Sequence, residues 1–447
     1  MWKTYTRTCA ALMMCGGALA VLSAQDETPY EPVPATFSLV ASNTGLPADG
    51  RWKSSPVLVD INKDGLVDLI SHPRLGKKTG VWLGDGKGNW KDSTEGLQIK
   101  NNTTCGGGVQ PVDLNKDGNL DLAVADHCDG VYVFLGDGTG KWKAANEKPL
   151  NPAEAKKHEE DGENPWLGSE ELAVGDINED GNEDLVVAGS DRGGFTIYFG
   201  DGTGLEWKEQ PFSGLPNTDQ PGEGMDDMGG WSREVLLVDM NNDKHLDVVA
   251  SYHRGPRVYQ GDGKGKFKAA STGLPSPMMF GIFQQIAVAD LNNDKRLDIV
   301  VANTVNGPEI YLQNGNGTWK GTGDVMTAMF GGAMSVNAGD LDGDGTAEIV
   351  VGGRLKRNGF YGVYVLKGDA KKGTWTPLQT ELPTENMQVV WGVGIGDVNG
   401  DKRNDVIVTA GGSMGGGAAP AVGPDGKPLD GEPKQFPNMQ VWLNQAK

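Results

Sequence analysis

Residues 60–68 read DINKDGLVD. Asp60, Asn62, Asp64 and Asp68 stand at positions 1, 3, 5 and 9 of this stretch, and Gly65 supplies a sharp bend, so four side-chain oxygens have room to converge on one hard cation. An acidic surface turn would give one such stretch as readily. The spacing, however, recurs at Asp113, Asn115, Asp117 and Asp121; at Asp176, Asn178, Asp180 and Asp184; and at Asp239, Asn241, Asp243 and Asp247. It returns again at Asp290, Asn292, Asp294 and Asp298; at Asp340, Asp342, Asp344 and Glu348; and at Asp397, Asn399, Asp401 and Asp405. A solvated turn needs polarity and a bend. It does not need an oxygen donor at the same four positions in seven copies, so the repetition favours metal binding.

The elements that must hold these loops repeat with them. Loop starts are separated by 53, 63, 63, 51, 50 and 57 residues, which implies one large repeat architecture. A mostly apolar run precedes each loop (SPVLVD, REVLLVD, QQIAVAD) and a second follows it (DLAVAD, DIVVAN, DVIVTA), as strands buried on both faces require. A third strand carries a recurrent aromatic (VWLGDG, VFLGDG, IYFGDG), a tight Gly-containing turn follows, and a fourth strand opens on Trp90, Trp142, Trp207, Phe267, Trp319 or Trp375. Four antiparallel strands in each of seven periods predict an all-β, seven-bladed β-propeller over 36–447. The C-terminal MQVWLNQAK matches a third strand with no fourth behind it, and FSLVASNTGLP near the start resembles the fourth-strand segment FKAASTGLP. The N-terminal strand is therefore expected to complete the last blade and remove the free edge.

A formal charge of -20 argues against nucleic acid or an anionic membrane as partner, and 22 carboxylates stand at the candidate ligand positions of the seven motifs. Residues 1–24 have a basic start, an apolar stretch and small residues before Gln25, the pattern of a secretory signal, with a linker expected over 25–35. No later segment is apolar for long enough to span a bilayer as a helix. Outside the signal stand Cys105 and Cys128, flanking the second loop at similar distances; a disulfide between them suits an exported protein, the alternative being two buried thiols.

Loops of the form D-x-[DN]-x-D-G-x-x-D between the first two strands of a blade resemble those of FG-GAP/VCBS repeat propellers, among them integrin alpha-subunit headpieces and some secreted lectins. The resemblance implies Ca²⁺, up to seven ions, and roles in adhesion or glycan binding, without fixing a ligand. Three loops depart from the pattern, with Lys244, Lys295 and Lys402 where Gly is expected, and a fourth ends on Glu348 in place of Asp.

Ligand candidates fall at the opposite end of the strands, where the long connections 144–170, 209–232 and 410–437 lie. Trp52, Trp166, Trp231 and Trp391 belong to neither repeated aromatic position, and serve either to stack on a ligand or to plug the channel mouth. Six residues after each final motif residue come Arg74, His127, Ser190, His253, Thr304, Arg354 and Gly411, read as a partial basic ring for acidic polysaccharide or as chance placement on turns. Two function classes follow: a secreted, calcium-braced binding or adhesion module for an extracellular glycan or protein, and a uronate-directed lyase. The second needs a base and a cation beside it, for which His127, His253, Arg254 and Arg354 are the candidates.

Overall fold

A computed structural model describes residues 32–76, 78–99, 104–146, 148–151, 168–189, 194–216, 232–252, 255–275, 283–322, 332–353, 362–369, 373–385, 387–412 and 436–447. All regular structure among them is β, arranged as seven sheets, each with the strand order first-second-third-fourth and antiparallel throughout the blade. The second blade is representative, with strands Val109–Val112, Asp121–Asp126, Gly130–Gly136 and Trp142–Ala144. Its second strand, DLAVAD, is buried along its whole length. That explains its continuous apolar run, because this strand has a neighbouring blade on both faces.

The core is shared between blades. Ala123, Ala125, Val131 and Val133 of blade two pack with Leu172, Leu185, Val187 and Tyr198 of blade three. Each such Val or Leu contributes roughly 1.5–3 kcal/mol when fully buried. The fourth-strand Trp residues lock a blade to the preceding link: the indole N–H groups of Trp142 and Trp319 donate to the carbonyls of Ser93 and Ala270 at 3.2 and 3.1 Å.

Closure follows the expected route. Phe37–Ala41 pairs antiparallel with Met439–Ala446, in the register Phe37 to Ala446 and Ala41 to Trp442, and completes the seventh blade. Leu69, Trp82 and Trp90 of blade one then pack on Ile407, Met439 and Val441 of blade seven. One detail differs from the expected linker: Val33 and Pro34 pair in parallel with Leu378 and Gln379, adding a fifth strand to blade six. Pro suits that edge because it has no N–H to leave unpaired.

Five of the seven innermost strands carry a register shift near their start, at Ser169/Glu171, Ser232/Glu234, Phe283/Ile286, Ala333/Ser335 and Val390/Gly392. Each bulge re-aims side chains at the end of the ring away from the acidic loops.

Candidate metal loops and the channel mouth

Every acidic loop is folded by its own carboxylates. In the first, Asp60 accepts the N–H groups of Asp64 and Gly65 at 3.2 and 2.9 Å, and Asn62 accepts that of Asp64 at 3.1 Å. The sixth position is left-handed in all seven loops, with φ of 84° at Gly65 and of 77°, 67° and 67° at Lys244, Lys295 and Lys402. Those three lysines carry a backbone cost on the order of 1 kcal/mol each that Gly avoids. Position four is left-handed as well, at Lys63, Lys116, Glu179, Asn242, Asn293, Gly343 and Gly400. In loops one to three its side chain reaches the next blade's loop: Lys63 bonds the Gly118 carbonyl, Lys116 the Asn182 side chain and Glu179 the His245 ring.

The ninth position does two jobs. Asp68 is fully buried; one oxygen accepts the Ile61 N–H at 2.8 Å and the other the Gly84 N–H of the third strand at 2.9 Å. The same double clamp is made by Asp121, Asp184, Asp247, Asp298 and Asp405. Burial pushes the Asp121 carboxyl up to about 6 and that of Asp298 to about 7; the two N–H bonds oppose the shift, and the loop's other Asp residues add to it.

Loop six is different. Glu348 keeps the first clamp, accepting the Leu341 N–H at 2.8 Å, but its second oxygen faces the Lys367 ammonium at 3.2 Å. Lys367 also contacts Asp342 and lies 2.7 Å from Asp344. Three carboxylates thus surround a cation supplied by the chain itself, at a third-strand position where Leu83, Leu135 and Leu312 stand in other blades. Asp340, Asp342 and Glu348 lie within 4.8 Å of one another, the only loop carboxylates to converge so closely among the described residues. Loops five and seven have weaker versions, Arg296 on Asp294 and Arg403 on Asp401.

At the opposite end, five innermost strands and the links into the other two line one small cavity, with Lys53, Ser55, Gly107, Glu170, Glu171, Arg233, Glu234, Gln284, Gln285, Met334 and Trp391 around it. Glu170 is the hub of one side: it bonds Lys53 at 2.7 Å, Arg233, and Nδ1 of His127 at 2.5 Å. Burial alone would raise its carboxyl, but Arg233, Lys53 and His127 outweigh that and hold it well below the usual range. Gln285 ties the other side together, donating to Ser55 at 2.7 Å and accepting from the Val336 and Val393 N–H groups at 3.1 and 3.4 Å. Below the mouth, buried His72 bonds Thr79 at 2.9 Å and Asp126 at 3.2 Å, while Asp126 also accepts the N–H groups of Cys105 and Cys128. Cys105 and Cys128 form a disulfide with a Cα–Cα distance of 5.6 Å.

The FG-GAP-like repeat profile matches residues 60–124, 239–301 and 290–351, each match running from one acidic loop to the second strand beyond the next. The chain is an FG-GAP repeat protein. A stretch of 150 residues is 32% identical to a T-cell immunomodulatory protein homolog from Plasmodium yoelii yoelii, covering 30% of this chain and 19% of that protein. The chain therefore spans about a fifth of that relative's length. Among solved structures, BBS1N in complex with ARL6DN is similar at a TM-score of 0.54 and 10% identity, over 93% of this chain and 98% of that one. An Agrocybe aegerita lectin, solved for its recognition of non-reducing terminal N-acetylglucosamine, aligns at a TM-score of 0.48 and 18% identity over 88% and 99% of the two chains. At these identities the likeness to BBS1N concerns the fold alone.

The sequence candidates of this FG-GAP repeat protein separate on the structure. Trp391 is buried against Met334 and Val389, donates to the Gly411 carbonyl at 2.6 Å and lines the mouth, which is the plug role. Trp52 packs edge-on against Trp82 with ring centroids 5.1 Å apart, half-buried beside exposed Arg74. His127 is engaged by Glu170, so it does not belong to an open basic ring. Trp166, Trp231, His253, Arg254 and Arg354 lie outside the described residues, as does Ser190. Of the lyase candidates only His127 is described, and its ring is bonded to Glu170. The residues that sequence reasoning missed are the mouth's polar pairs, Glu170 with Glu171, Arg233 with Glu234, and Gln284 with Gln285. Their signal was charge or amide at the head of strands that are otherwise apolar.

Proposed function

We propose that this FG-GAP repeat protein is a secreted binding module, braced by Ca²⁺ in its acidic loops, that takes an acidic glycan beside the first blade. The observation carrying the ligand class is a depression of about 480 Å³ lined by Arg51, Trp52, Pro73, Arg74, Leu75 and Lys78. It gathers three basic side chains around an aromatic and an exposed Leu on a chain whose net charge is -20. Local charge of the opposite sign is what an anionic ligand needs to approach such a protein. Leu75, 59% exposed, is held at a φ of 61°, a conformation that costs a non-Gly residue energy and that clusters at ligand sites. An arginine fork pairs bidentately with a uronate carboxylate, and an indole face stacks on a sugar ring.

What supports Ca²⁺ is the donor set. Positions 1, 3 and 5 present hard oxygens from a short loop already turned by its own N–H bonds, and Ca²⁺ takes six to eight such oxygens with water completing the shell. In loop six the Lys367 ammonium already stands among the carboxylates, so that loop is the poorest candidate of the seven. An acidic-glycan array with and without Ca²⁺ tests the reading, followed by Arg74→Ala on any hit. Loss of at least tenfold in affinity with an unchanged melt supports it. Wild-type affinity in both Arg74→Ala and Arg51→Ala overturns the placement.

A further inference from the structure

The polar residues of the channel mouth divide into a satisfied half and an unsatisfied half. Glu170 has Lys53, Arg233 and His127 around it. Glu171 and Glu234, one residue further along adjacent innermost strands, form no salt bridge with any described residue. Glu171 accepts only the neighbouring Leu172 N–H, at 3.1 Å, and Glu234 a long bond from the Ser55 hydroxyl, at 3.4 Å, together with the Ile286 N–H. Each raises the cost of ionising Glu171 in turn: burial first, then the Glu234 charge. Glu171 and Glu234 line the same small cavity, and two carboxylates in one site shielded from bulk water cannot both stay ionised without a proton or a cation to offset them.

Three further features bear on which. Gly108 leaves the space that the Glu171 carboxylate fills: a Cβ at that position would lie 1.3 Å from its Oε1, so the fold makes room for this acid in particular. Gln284, only 5% exposed, lines the same cavity, and its side-chain N–H₂ has no hydrogen-bond partner. A buried donor with nothing to donate to is costly and calls for an acceptor that the protein itself does not provide. Finally, the cavity holds about 40 Å³, room for two to four water-sized bodies at roughly 10–15 Å³ each and too little for a sugar ring.

We infer that the channel mouth binds one hydrated divalent cation between Glu171 and Glu234, with a water of its shell accepting from the Gln284 amide. A shared proton would settle the carboxylates but supply nothing for Gln284, which would then need a separate ordered water; a bare cation would leave it unpaired. A cation that keeps part of its water satisfies all three groups. Oxygen-only donors and an incomplete protein shell suit the Ca²⁺, Mg²⁺ and Mn²⁺ class and disfavour Zn²⁺. This site lies at the end of the strands away from the acidic loops and stands whether or not those loops take Ca²⁺.

The test uses Mn²⁺ as the probe on the full chain. Anomalous diffraction from crystals soaked in MnCl₂ is expected to show a peak on the ring axis between Glu171 and Glu234, resolved by position from any peak in the loops. Glu171→Gln combined with Glu234→Gln should abolish that peak and lower the total bound Mn²⁺ by one equivalent, with peaks in the loops unchanged. Gln284→Leu should keep the peak and weaken its occupancy. An axis without a peak in the wild-type map overturns the inference, and that result needs no variant to fold. An unchanged metal count in a folded double variant overturns it as well.

Discussion

The two ends of the blades solve opposite problems with the same residue type. In the loops, carboxylates recur at fixed positions because the local backbone needs them: Asp at position one collects two N–H groups and Asp at position nine clamps two strands. At the mouth, the strand positions equivalent to Glu170 carry Ser54, Gly107, Arg233, Gln284, Met334 and Trp391 in the other blades. One end is a structural rule applied seven times. The other is a single composite, assembled once from seven different contributions. The difference teaches that, in a repeat protein, a function requiring an asymmetric partner belongs where the repeat breaks.

The largest effect should come from removing metal. If the acidic loops hold Ca²⁺ as proposed, ions bound only to the folded state add stability by mass action, so chelation should lower the melting temperature by about 10 °C or more. Differential scanning calorimetry with the metal content measured in parallel decides this. A melt that does not move after verified removal would show that metal does not brace the loops.

Next in size is the buried pair below the mouth. Burial tends to raise Asp126, but the His72 bond and charge and the N–H groups of Cys105 and Cys128 prevail and lower it below the ordinary value of 3.8. A lowered folded pKa gives stability that is complete above 3.8 and is lost as pH falls through the folded value. Asp126→Asn should cost about 3 kcal/mol at neutral pH, the scale of breaking a buried pair, and make the acid limb of the stability curve shallower. Urea titrations at pH 7 and pH 3 measure both; an acid limb identical to wild type would remove Asp126 as its cause.

Asp121→Asn sharpens the comparison from the loop side. Asn offers one acceptor where Asp offers two, and its N–H₂ would face a backbone N–H, so the variant should lose roughly 2 kcal/mol even in excess chelator. If the loss appears only with Ca²⁺ present, position nine is a metal ligand and not a clamp.

The smallest effect belongs to Lys367→Met. Without metal, the variant should lose about 1 kcal/mol, since three carboxylates lose a partly exposed cation. With Ca²⁺ present it should gain one equivalent of bound ion, which equilibrium dialysis would count. An unchanged count would show that Lys367 steps aside for metal in the native protein.

The ring, its closure by Phe37–Ala41 and the seven loops were legible because each follows from periodicity. A strand buried on both faces must be apolar throughout, and a left-handed loop position favours Gly. The mouth was not legible for the reverse reason. Glu170 and Glu171 directly precede the apolar run from Leu172, and no spacing marks them; Glu170 meets Lys53 and Arg233 only because the ring brings blades one, three and four together. Lys367 was visible in principle, as the one basic residue in VYVLKGD where aligned third strands carry Leu, but its contact with Glu348 depends on cross-strand register. Trp391 illustrates an ambiguity that only packing resolves, since a plug and a stacking platform use the same side chain.

The seam between Ser38 and Gln445 joins residues 407 positions apart. A chain that emerges from its N-terminus first must therefore carry FSLVA as an unpaired strand until the last blade has been made and delivered. For that interval the segment is a sticky end, and other copies compete with the chain's own C-terminus for it. The final step of maturation is thus an intramolecular race against association, slow by topology and sensitive to concentration. Yield of the closed monomer should depend on how fast the tail arrives more than on how well any single blade folds.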